Sequence, residues 1–152
     1  MATAGGAGYA PVAPGTFGSA VGVLLYLLLA DLGAFLFGVT LLGLGFLGIW
    51  ASDEAERAFQ RKDDGRIVID EVVGQLLTLA PLVALLPPAG RRAPLWLLAC
   101  FLLFRLLDIW KPGPIAWAER SFSGGGGVMM DDVFAGILGC LIVCAVLLWV
   151  GP

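Results

Sequence analysis

Apolar residues along this chain gather into five long blocks, over residues 16–30, 34–51, 72–86, 94–110 and 128–150. Each reads as a helix by windowed hydropathy, and the last is the longest. The first is short for a full membrane crossing and fits either a tilted span or a re-entrant piece. Only Asp31-Leu32-Gly33 separates the first two blocks, which predicts a tight helical hairpin. Pro87-Pro88 ends the third block and Lys111-Pro112 the fourth, because proline cannot continue the helical hydrogen-bond ladder. The expected fold is an all-α integral membrane protein, a single domain over residues 1–152. About five transmembrane or re-entrant helices and two cytoplasmic amphipathic connectors make it up.

Two long polar connections and one short one join the later blocks. Residues 52–69 carry Arg57, Arg61, Lys62 and Arg66, and residues 111–127 carry Lys111 and Arg120, with Arg105 just before. The short connection, 90–93, carries Arg91 and Arg92. Five helices of alternating direction put both long connections on one side with the N-terminus. The excess of Lys and Arg places that side in the cytoplasm, with Arg91 and Arg92 voting the other way. Gln60 and Ser123 are then cytoplasmic and the C-terminus periplasmic. Residues 52–62 put charges on one face and Ala55, Ala58 and Phe59, with Ala51 just before, on the other, so this connector is expected on the membrane surface. Glu54, Glu56, Asp63 and Asp64 read as solvated charges, with Asp63 the one to watch. Residues 1–14 hold no Lys or Arg, unlike a signal peptide, and 1–13 read as a flexible lead-in.

Composition supports the membrane reading. The chain is 59% hydrophobic and 14% charged, with a mean hydropathy of +0.94, against about 45–50% and roughly 25% for soluble domains. A net charge of −3 argues against nucleic acid as a partner. The absence of histidine removes the Ser-His-Asp triad, phosphohistidine chemistry and imidazole metal ligands. Cys100, Cys140 and Cys144 lie inside apolar blocks and read as packing residues. Cys100 to Arg105 is one residue short of the cysteine-phosphatase spacing.

Against this background the acidic residues stand out. Asp70-Glu71 open the third block, Asp108 sits near the end of the fourth, and Asp131-Asp132 lie in the first turns of the fifth. Alternating helices bring all of them to the cytoplasmic face. A carboxylate at the bilayer centre costs at least ~2.5–3.5 kcal/mol, less near the interface. At a helix start it regains roughly 0.3–1 kcal/mol from the macrodipole. Capping accounts for one acid per helix but poorly for two adjacent acids, twice. A divalent cation between them does better. With no histidine, oxygen ligands favour Mg2+, Ca2+ or Mn2+, and the candidate ligands are Asp70, Glu71, Asp131 and Asp132. With Asp108 they are also the candidate catalytic carboxylates. A faint repeat runs through the same region: Ile49-Trp50, Ala55-Glu56-Arg57 and Asp70-Glu71-Val72 parallel Ile109-Trp110, Ala118-Glu119-Arg120 and Asp131-Asp132-Val133. Chance similarity in a biased composition gives the same pattern.

Arg105, Asp108 and Lys111 form a stripe at the end of the fourth block. They make either a ladder of intrahelical ion pairs or a phosphate-binding set in which Asp108 orients Arg105 or meets the metal. Gly15-Thr16-Phe17-Gly18-Ser19, with Gly22 beyond, fits close helix packing and also an anion at the helix start, with Thr16 and Ser19 assisting. The run Gly124 to Gly127 is a hinge or a place where backbone approaches a ligand.

Taken in order, four motifs resemble the phosphatidylglycerophosphatase A family. They are Pro14-Gly15-Thr16-Phe17-Gly18-Ser19; Asp70-Glu71 with Gly74; Phe104-Arg105 with Asp108-Ile109-Trp110-Lys111-Pro112; and Gly127-Val128-Met129-Met130-Asp131-Asp132 with Ala135-Gly136. The resemblance covers nearly all of the chain after the first ten or so residues. It implies a bacterial inner-membrane enzyme that hydrolyses phosphatidylglycerophosphate to phosphatidylglycerol and inorganic phosphate with Mg2+. Two rivals are weighed beside it. A phosphatidyl-group transferase would carry a D-G-x2-A-R signature, which is absent. A cation carrier or channel subunit would stagger its acids through the membrane, whereas these cluster at one depth.

Overall fold

A computed structural model of the chain describes residues 1–62, 64–122 and 124–150, excepting the side chains at 119 and 120. The expectations attached to Asp63 and Ser123 therefore lie outside the described residues. Among the described residues seven helices follow a short 3-10 turn at Ala4–Tyr9: α1 (Pro14–Leu29), α2 (Gly33–Phe59), α3 (Ile69–Leu85), α4 (Pro88–Arg91), α5 (Pro94–Trp110), α6 (Gly113–Ser121) and α7 (Gly124–Val150). No strand occurs among the described residues. The five apolar blocks become α1, α2, α3, α5 and α7, and proline opens α1, α4 and α5, where its missing N–H costs nothing. Two of these, α2 and α7, are long and apolar enough to cross a membrane. Their outer faces expose large apolar side chains such as Phe35, Phe46, Leu148 and Trp149, a surface suited to lipid.

Three local expectations change. The connector after residue 51 is not a separate surface helix: α2 runs on to Phe59, because nothing between Gly48 and Gln60 breaks a helix. Its Ala51 and Ala55 pack with Ala2, Ile67 and Val128. The glycine run is the first turn of α7, and Gly125 touches the α2 backbone at Ile49 and Asp53, an approach no Cβ would permit. The expected lead-in is docked. Ala2 is buried, and its carbonyl accepts the N–H groups of Val68 (2.9 Å) and Ile69 (3.1 Å), capping the start of α3.

Two close crossings fix how the helices meet. A Cβ at Gly136 would lie 2.6 Å from the Gly74 carbonyl, and one at Gly139 would lie 2.7 Å from Thr78 Oγ1, so α3 and α7 run parallel and nearly touch. Likewise Gly15, Gly18 and Gly22 of α1 face Glu71, Val68 and Gln75 of α3. In contrast α2 runs against α7, with Gly48 on Met129 and Gly125 on Asp53, and α5 runs against α1, with Arg105 beside Ser19 and Cys100 in the same core cluster as Tyr26. That cluster also holds Phe37, Leu76, Leu79, Leu82, Val143 and Leu147. Buried Cys100 is a core residue there, and all three cysteines are free thiols. The alternation gathers the starts of α1, α3 and α7 and the ends of α2 and α5 at one end of the bundle.

Candidate active site

Each acidic residue reaches that end by a different route. The first turn of α3 carries buried Asp70 and half-buried Glu71, and the third turn of α7 carries buried Asp132. Because α3 and α7 cross at Gly74 and Gly136, these side chains meet. One carboxylate oxygen each from Asp70, Glu71 and Asp132 fall within 4.8 Å of one another. Asp70 also accepts the Glu71 N–H at 3.1 Å, which fixes its orientation in the turn.

The remaining acids are paired. Asp108 holds Arg105 at 2.6 Å and Asp131 holds Lys111 at 2.8 Å. Arg105 Nη1 also donates to Ser19 Oγ at 3.4 Å, and that hydroxyl donates to the Gly15 carbonyl at 3.0 Å. Lys111 sits at the left-handed cap of α5, with φ 46°, which turns the chain toward α6. Asp131 was expected among the metal ligands and falls outside the three-carboxylate cluster. Consecutive helical residues point about 100° apart, so Asp131 and Asp132 face different neighbours. Thr16, in the first turn of α1, is half-buried and sends its N–H to the Ala13 carbonyl at 2.9 Å.

Three carboxylates so close repel one another unless a cation stands among them. Asp108 and Asp131 are engaged in ion pairs, whereas Asp70, Glu71 and Asp132 meet one another. Glu71 Oε2 is buried with no hydrogen-bond partner. An all-oxygen donor set with an orphaned buried carboxylate oxygen fits a hard divalent cation. Arg105 and Lys111, a guanidinium and an ammonium beside that cluster, suit the oxygens of a phosphate group.

Two contributors escaped the sequence reading. Asp53 accepts the Gly125 N–H and so caps α7, the helix that carries Asp131 and Asp132. Gln75 is fully buried one turn beyond Glu71. Its signal was in plain view, an amide inside the apolar block 72–86.

The structure is thus a helical bundle with an apolar outer surface that carries Arg105 and Lys111 beside a carboxylate cluster at one end. The chain belongs to the phosphatidylglycerophosphatase A family, whose model matches residues 1–147, in agreement with the resemblance read from the four motifs. It is 35% identical to phosphatidylglycerophosphatase A of Escherichia coli K12 over 139 residues, 91% of this chain and 76% of that protein. The Haemophilus influenzae Rd protein of the same name is 35% identical over 150 residues, 98% of this chain and 88% of that one. A putative phosphatidylinositol-3-phosphatase of Bacteroides thetaiotaomicron is 39% identical over 155 residues, 99% of this chain and 92% of that one. No solved structure matches the chain significantly.

Proposed function

We propose that this protein is a Mg2+-dependent phosphatidylglycerophosphatase, hydrolysing phosphatidylglycerophosphate to phosphatidylglycerol and inorganic phosphate. It works in the bacterial inner membrane, crossing it about five times, with the site at headgroup depth on the cytoplasmic side. The observation that carries the reading is the meeting of Asp70, Glu71 and Asp132 beside Arg105 and Lys111 at one end of the bundle, in a chain of this family. Asp70, Glu71 and Asp132 hold the metal. A divalent cation bound there would supply neutralisation of the phosphomonoester dianion and polarisation of phosphorus toward attack.

The other residues bind and orient. Arg105 and Lys111 grip the phosphate oxygens, with Asp108 and Ser19 aiming Arg105 and Asp131 aiming Lys111. Thr16, in the first turn of α1, offers its hydroxyl to the same phosphate. Water attacks phosphorus in line with the glycerol oxygen; a cluster carboxylate takes the water's proton and returns it to the departing oxygen as its bond to phosphorus breaks.

The Bacteroides relative favours a second reading, in which the phosphate comes off the inositol 3-position of a phosphoinositide. One assay tests both. The full chain, purified in detergent, is given phosphatidylglycerophosphate or phosphatidylinositol 3-phosphate, with Mg2+ or with EDTA. Phosphate release from the first lipid that stops with EDTA and returns with Mg2+ is the expected result. Preference for the second lipid would replace the substrate, and release from neither would overturn both readings.

A further inference from the structure

Where α1, α3 and α5 meet, three buried polar groups have no hydrogen-bond partner: Glu71 Oε2, Arg105 Nε and both ends of the Gln75 carboxamide. Gln75 is fully buried in a helix that is otherwise apolar past its first turn, apart from Thr78, whose hydroxyl donates to the Gly74 carbonyl. An unpaired amide in apolar surroundings destabilises a fold, so leucine or methionine would be the more stable choice there.

Gln75 follows Glu71 by one turn on the same face of α3. Helical side chains lean toward the N-terminus, which carries the Gln75 amide back over the turn that bears Glu71. The glycines of α1 pack along the same row of side chains, at points about two turns apart. A Cβ at Gly22 would meet the Gln75 side chain at 2.9 Å, and one at Gly15 would meet both Glu71 Cδ and Arg105 Nη1 at 3.2 Å. The orphaned groups are also complementary: Glu71 Oε2 accepts, Arg105 Nε donates, and a carboxamide does both.

We propose that Gln75 is a positioning residue for the site. Its Nε2 donates toward Glu71 Oε2 and its Oε1 accepts from Arg105 Nε, each through one buried water. The link holds the acid that binds the metal and the cation that binds phosphate in a fixed relation. It rests on the reading of Glu71 as a metal ligand.

The test uses the full chain purified in detergent, with Mn2+ as the probe ion and free Mn2+ counted by electron paramagnetic resonance. Gln75→Met fills similar volume without polar atoms. The expected result is a metal-free Tm at or above that of the parent, with Mn2+ bound about 10–100-fold more weakly, as when an outer partner of a metal ligand is lost. Unchanged Mn2+ affinity overturns the proposal. A metal-free Tm that falls moves the test to Gln75→Asn, which keeps the amide but draws it back by one methylene. Weakened Mn2+ binding in that variant supports the proposal, and parental affinity overturns it. Glu71→Gln run alongside separates the two claims. If it leaves Mn2+ affinity intact, the reading of Glu71 fails; if it abolishes binding while Gln75→Met changes nothing, only the role of Gln75 fails.

Discussion

The two ends of the bundle handle charge in opposite ways. At the end away from the site, Arg92 clasps Asp31 through two hydrogen bonds of 2.8 and 3.0 Å and donates to the Leu27 carbonyl. Arg91 donates to the carbonyls of Leu86 and Ala30, and Tyr26 donates its hydroxyl to the Arg91 carbonyl. Each polar group there meets an opposite one, and together they tie off the ends of α1 and α3. At the other end Asp70, Glu71 and Asp132 crowd together, and Glu71 Oε2, Asp131 Oδ1 and Arg105 Nε lack partners. Charges that hold a fold are matched within it. Charges left over are matched by what binds. The far-end contacts also account for Arg91 and Arg92 on the side opposite the basic loops: they cap helices there.

The largest test of this contrast is Asp132→Asn. It removes one of the three proposed metal ligands, so kcat/KM should fall more than about a hundredfold, beyond the loss seen when only an outer partner goes. Metal-free Tm should hold or rise, because one of three mutually repelling carboxylates is gone. A fall in metal-free Tm with activity retained would make the cluster structural and erase the difference between the ends.

Lys111→Gln comes next. A charge-assisted hydrogen bond to phosphate is worth roughly 1.5–3 kcal/mol, so kcat/KM should drop about ten- to a hundredfold with little change in Tm. Asp131→Asn should act in the same direction but more weakly, since Asp131 holds Lys111 and lies outside the cluster. Kinetics of the two single variants and the double variant check this. Additive losses would free Asp131 from Lys111 and restore it as an independent ligand.

At the far end, Asp31→Asn should leave kcat/KM unchanged and lower Tm slightly, because the pair with Arg92 is exposed. A loss of activity matching that of Asp132→Asn would collapse the comparison. The smallest effect belongs to a matched pair on the site side. Hydrogen bonds from Arg66 hold the Asp64 carboxyl down at about 2, from an ordinary 3.8. Its stabilising contribution is therefore full above 3.8 and disappears as pH falls toward 2. Thermal melts of the parent and Arg66→Gln should differ above that window and converge below it. A constant difference at all pH values would show that Arg66 acts through its stacking on Phe59 instead.

Much of the fold could be read in advance because hydropathy and proline act locally. Blocks 16–30, 34–51, 72–86, 94–110 and 128–150 each became a helix, and Pro87-Pro88 and Lys111-Pro112 ended helices where expected. The connectors were less legible. Polar residues after Trp50 suggested a break, yet a helix ends where a breaker or cap stops it, and α2 met none before Gln60. The docking of Ala2 on the start of α3 had no signal, since a backbone carbonyl leaves no mark on side-chain pattern.

By itself the sequence determined that acids would lie in apolar helices, that any metal they held would be held by oxygen, and which family motifs surround them. Those follow from composition and order, which need no coordinates. Tertiary structure alone decided which acids meet. Asp131 and Asp132 are neighbours in sequence, but the crossing of α3 and α7 at Gly74 and Gly136 turns Asp132 toward Asp70 and Glu71 and leaves Asp131 to Lys111. The packing of α1 and α5 on α3 likewise brought Arg105 to Glu71 beside Gly15. Which face a helical residue presents depends on how two helices rotate and approach, and close packing among several helices at once sets that angle.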